Sequence, residues 1–151
     1  MAGRRRPQPQ RERVSAYPLE LPGALLTHPF GDDVDVYKVG VLPASGTGGR
    51  HSGGKMFCLV GQYGDPGLMT LKVDPDRGAE LVRDHAAITP GYHTNKRHWV
   101  SLILDGSVDD GLVRTLVEDA YDLVVSTLSA RARFDVDPDR FPLPPSRSRR
   151  A

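Results

Sequence analysis

Leu112, Val113, Leu116, Val117, Ala120, Tyr121, Val124, Val125 and Leu128 recur at i, i+1, i+4, i+5. This is the pattern of a helix with one broad apolar face. Each large member contributes about 1.5–3 kcal/mol when it leaves water. Such a face must be covered, and the remaining sequence offers a sheet to cover it. "VDVYKV" (34–39) alternates and is rich in β-branched residues. "KMFCLVGQY" (55–63), "LMTLKV" (68–73) and "RHWVSLIL" (97–104) read as three further strands. "GDPG" (64–67) turns the chain between two of them, and Asp105-Gly106 turns it after the last. Asp74 and Pro75 open a second helix as cap and first residue, and Pro90-Gly91 break its pattern. For the long helix, Ser107 with Asp110 resembles a capping box. Strands in runs, not alternating with helices, predict an α+β fold: a mostly antiparallel sheet with helices packed against it.

The charge is distributed unevenly. Residues 1–17 carry five arginines against Glu12, and residues 131–151 carry six against three aspartates. The middle, 18–130, holds 9 basic and 15 acidic residues, so basic ends flank a body of net charge −6. The segments "MAGRRRPQPQRER" and "FPLPPSRSRR" have little to bury, and both ends are expected to be disordered. The lone Cys58 lies in the apolar run "MFCLV", which suits a core thiol in a reducing compartment. No apolar h-region follows the first arginines, and no run reaches the roughly 18 residues of a membrane span. A cytoplasmic protein with no membrane partner is expected.

Several chemistries find no support in the sequence. Gly49, Gly54 and Lys55 have the spacing of a phosphate-binding loop, but Met56 stands where Ser or Thr would hold magnesium. A strand, not a helix, follows Lys55, so backbone N–H groups and a helix dipole would not converge on a phosphate. The five histidines show no i, i+4 helical pair, and there is no G-x-S-x-G elbow. No catalytic residue, metal site or cofactor is expected. "TPGYHTNKRHWVSL" (89–102) concentrates aromatic rings and cations, a mix that stacks on bases and grips phosphates, or that turns a chain into a strand with Trp99 in the core.

"VYKVG", "GGKMF", Leu71-Lys72, "PGYHTNKRHWVSL" and "YDLV" (121–124) stand in an order and spacing that resemble the MmcQ/YjbR family. "LPGA" (21–24) followed by "HPFGDDVDVYKVG" is similar to the family's start, so the likeness runs from Leu21 to Leu128. The resemblance implies an α+β fold like that of type III secretion chaperones, and the DNA-binding label that goes with a "double wing" arrangement. It implies no catalytic residues. Members join "VYKVG" to "GKMF" directly, so Val41–Ser52 reads as an inserted, poorly ordered hairpin tip. A helix before "LPGA" would be short, because Pro18 disfavours helix at Tyr17. The expected organisation is a disordered basic tail (1–17), the family domain (18–130) and a Pro/Arg-rich tail (131–151). The expected function is non-enzymatic nucleic-acid binding, weak and salt-dependent, with Lys96 and Arg97 on phosphate and Lys55, Lys72, His93 and Asn95 nearby. The alternatives are a chaperone-like adaptor for a protein partner, or a small-molecule protein with a pocket near Tyr92–Trp99.

Overall fold

The computed structural model describes residues 8–43, 51–61, 66–92 and 94–145. Six strands form one antiparallel sheet: β1 (Leu25–Thr27), β2 (Val34–Pro43), β3 (His51–Gly61), β4 (Leu68–Lys72), β5 (Ile88–Pro90) and β6 (Trp99–Ile103). Their spatial order is β1-β2-β3-β4-β6-β5. The described residues also hold four α-helices, α1 (Gln10–Val14), α2 (Pro75–Asp84), α3 (Asp110–Val125) and α4 (Ala130–Val136), and a 3-10 turn, Pro18–Glu20. The α+β class read from the sequence is the observed one, and β6 lies inside the sheet. Residues 62–65, within the expected second strand and turn, lie outside the described residues.

Register separates the two faces of the sheet. Tyr37 pairs with Cys58, Cys58 with Leu71, and Leu71 with Val100, and all four belong to the core. One residue along, Val36, Leu59, Thr70, Ser101 and Thr89 form a second row. Alternation puts that row on the opposite face. The core face is covered by Leu81 of α2 and by Val113, Leu116, Val117, Ala120, Tyr121, Val124 and Val125 of α3. A bulge at Tyr37/Lys38 leaves Phe57 without a ladder partner. Phe57 and Cys58 are thereby both fully buried. The Phe57 ring meets Tyr121 edge-on, with centroids 5.6 Å apart and planes at 85°.

The cap of α2 is the expected one. The Asp74 carboxylate accepts from the N–H groups of Asp76 and Arg77, and Pro75 follows. For α3 the cap is Asp109, which accepts from Gly111 N, not the Ser107–Asp110 pair expected from sequence. Ser107 falls in the turn instead, where its N–H binds the Asp105 carboxylate.

Three expectations about the loop and ends are corrected. Val41–Pro43 pair with His51–Gly53, so the strands run on into the inserted segment, and only 44–50 lie outside the described residues. The N-terminal segment is not disordered from residue 8 on. Val14 is fully buried, and the Gln10 amide donates to Val108 O (2.6 Å) and Asp110 Oδ1 (2.9 Å) and accepts from Gly106 N (2.8 Å). One apolar residue and one side-chain amide are enough to dock a single turn of helix. At the other end Ser129 caps α4, accepting from Ala132 N, and Phe141 packs against the core. Residues 1–7 and 146–151 lie outside the described residues.

Candidate nucleic-acid interface

The candidate site is built on the β5–β6 hairpin. Gly91 N donates to Trp99 O (2.9 Å), closing the ladder above the Pro90–Val100 pair. A Cβ on Gly91 would lie 2.1 Å from Thr94 Oγ1 and 2.6 Å from Trp99 Cβ, so only glycine lets the turn fold down over the tryptophan. Trp99 is 6% exposed beneath it. The Asn95 carboxamide accepts from Arg97 N (3.0 Å), and Asn95 O accepts from His98 N (3.1 Å). This Asx turn leaves Lys96 and Arg97 exposed at its tip. Asn95 therefore holds the turn's shape with one of its polar atoms. His93 lies outside the described residues.

Lys72 ends β4 opposite Trp99, with Nζ 5.3 Å from the ring centroid, a cation–π contact. Val73 N donates to His98 O (2.9 Å), which ties the end of β4 to the same turn. Lys72, Lys96 and Arg97 thus gather at the entry to β6. Lys96 and Arg97 line a cavity of about 540 Å³ whose far wall is α2, with Arg83 and Asp76. Lys72 lines a second cavity of about 370 Å³ against α3, where Asp74, Asp119 and Asp122 face it. A phosphate is favoured at the first and repelled at the second.

Lys55 is not part of this group. It sits on β3 opposite Val39, two strands from β6, and its Nζ donates to Thr127 Oγ1 (2.9 Å) just past α3. Two strand spacings are roughly 10 Å. Because Lys55 lies within a strand, no helix N-terminus follows it, and the phosphate-loop spacing has no structural counterpart.

Charge pairing sorts the cations. Arg13, Arg77, Arg83, Arg114, Arg131 and Arg140 each pair with a carboxylate. Among the described residues Lys55, Lys72, Lys96 and Arg97 have no such partner, and neither has Lys38, which the sequence did not single out. Burial pushes the Cys58 thiol well above its usual range, so it stays protonated and unreactive.

A YjbR family model matches residues 19–123, more than half of the chain. The chain belongs to the YjbR family. It is 33% identical over 127 residues to YbdF of Escherichia coli O157:H7, covering 84% of this chain and 93% of that one. It is 31% identical over 78 residues to YjbR of Escherichia coli K12, covering 52% and 66%. Among solved structures, the Deinococcus radiodurans protein DR2400, a DUF419 domain, superposes with a TM-score of 0.72 at 38% identity, covering 83% of this chain and 86% of that one. A Pseudomonas syringae protein shares the fold at 23% identity with a TM-score of 0.55. The part of the chain matched to the family spans every strand, α2 and most of α3. Among the described residues, no helix is long and apolar enough to cross a membrane.

Two features escaped the sequence reading. Phe30 stands 65% exposed on the loop before β2, and the Thr70–Ser101 hydroxyl pair lies across two strands. Strand alternation was the available signal for Thr70 and Ser101; Phe30 carried none, because a loop has no periodicity.

Proposed function

We propose that this chain is a non-enzymatic, cytoplasmic nucleic-acid-binding protein that engages duplex DNA through phosphate contacts from Lys96 and Arg97, without a cofactor. The observation that carries the reading is that, among the described residues, Lys96 and Arg97 stand together at one turn without a carboxylate partner, on a chain whose arginines elsewhere are largely tied to carboxylates. An unpaired guanidinium on a rigid tip presents its fork to phosphate with little left to reorganise. The body's net negative charge opposes a polyanion beyond the immediate contacts, so the interaction is weak and disappears as salt rises. The Asn95 carboxamide oxygen is engaged in the turn and is not offered to a base edge.

The test is fluorescence anisotropy of a labelled duplex with full-length protein at low salt. Lys96→Ala/Arg97→Ala is expected to weaken binding for every sequence alike while leaving the melting temperature unchanged. Undiminished binding by that variant would remove the turn from the interface.

A further inference from the structure

The face of the sheet turned away from α2 and α3 carries a cleft of about 230 Å³ lined by Phe30, Val34, Leu59, Thr70, Tyr92 and Thr94. We propose that this cleft binds a small, uncharged, flat ring compound that brings a hydrogen-bond acceptor to Thr70. The site is separate from the phosphate contacts above, and the inference does not depend on them.

Size, charge and hydrogen bonding each restrict the ligand. At roughly 30 Å³ per water-sized group, the cleft holds a molecule of about eight non-hydrogen atoms. Among the described residues no lining side chain is charged, so none of them would replace the hydration that a charged group loses. Leu59 and Val34 make an apolar floor, and Phe30 and Tyr92, 65% and 45% exposed, contribute aromatic rings from two separate loops. Aromatic faces at the mouth of an apolar cleft favour a planar guest.

The hydroxyl chain beneath the cleft has a direction. Tyr92 N donates to Ser101 Oγ (2.9 Å), so that oxygen is already an acceptor. Ser101 is 1% exposed, and its only side-chain hydroxyl neighbour among the described residues is Thr70 Oγ1 at 2.8 Å. Either hydroxyl can donate across this pair; the donor role is assigned to Ser101, the more deeply buried of the two, whose hydrogen has no other acceptor among the described residues. Thr70, 7% exposed, is then left with a hydrogen of its own and no acceptor among the described residues. Thr70 lines the cleft, and a guest carbonyl or ring nitrogen supplies what is missing. Thr94 on the same wall carries a buried hydroxyl oxygen that likewise has no partner among the described residues. The Thr70 hydroxyl at the wall of the cleft points to an occupant more polar than a hydrocarbon.

Uracil is a suitable probe, with benzene as a ring that lacks an acceptor. In an amide NMR titration of the full-length chain, uracil is expected to shift the Leu59, Thr70 and Tyr92 signals saturably. Thr70→Val removes the donor at nearly constant shape and is expected to weaken uracil about three- to tenfold, the worth of one neutral hydrogen bond. Thr70→Ser should restore it, and benzene should not distinguish the variants. Phe30→Ala, at an exposed loop position that carries no folding risk, should weaken both probes. Absence of saturable shifts with uracil, or equal uracil affinity in wild type and Thr70→Val, would overturn the proposal.

Discussion

Trp99 is held beneath Gly91, which folds over it, with the Lys72 ammonium beside its ring. It is a packing residue, and Trp99→Ala is expected to cost about 3–5 kcal/mol in urea denaturation. A variant as stable as wild type would make Trp99 a stacking platform instead. Tyr121 permits a prediction in pH. Its hydroxyl donates to Pro22 O (2.5 Å), and burial pushes its pKa up to about 12 from 10.0. The folded state thus prefers the neutral phenol. The stability it contributes is complete below pH 10, the unfolded value, and is lost as pH rises to about 12. Melting temperature should fall across that window, and Tyr121→Phe should flatten the fall. The sequence left Trp99 open between a stacking and a packing role, and its burial beneath Gly91 decides for packing. The buried role of Gln10 was not legible: its partners Gly106, Val108 and Asp110 lie about a hundred positions away, and no local pattern announces a side chain that closes a distant turn.

At the scale of elements, legibility followed length. The helix α3 declared itself because its 16 residues repeat one apolar face several times over. Leu116, 1% exposed at its centre, should cost about 2–5 kcal/mol when changed to Ala, measured by the same denaturation. A loss below that range would mean that α3 can settle onto the sheet around the void. The strands β1 and β5 have three residues each, too few for alternation to show, and both were missed. Pro90, read as a helix breaker, is the last residue of β5, an edge strand where its missing N–H leaves no ladder bond unmade. The helices α1 and α4 were hidden inside segments whose composition is polar and arginine-rich. Composition averages over a window, whereas docking needs only Val14 in one case and Val136 with Phe141 in the other. The candidate site was half legible. Sequence proximity gave the Asn95–Lys96–Arg97 turn, but the approach of Lys72 and the remoteness of Lys55 are matters of strand order, which the sequence does not display.

At the scale of the whole molecule, the account rests on where positive charge is left unneutralised. Arg13 is tied to Asp110 (2.8 Å), and Arg140 to Asp122 (2.8 Å), so the described parts of both basic ends are spent largely within the fold. Removing residues 1–17 would take away α1 along with the charge. A cut that keeps 8–145 preserves every described element and removes only Arg4, Arg5, Arg6, Arg147, Arg149 and Arg150. The most direct measurement is the slope of log K against log salt for duplex DNA, taken on the full chain and on 8–145, each with and without Lys96→Ala/Arg97→Ala. With about 0.9 counterions released per phosphate contact, two contacts on the fold predict a slope of about −2 for 8–145, steeper for the full chain. The double substitution should bring 8–145 close to zero. No binding by either form at about 50 mM salt, where this attraction is large, or a slope that the double substitution leaves untouched, would contradict the account.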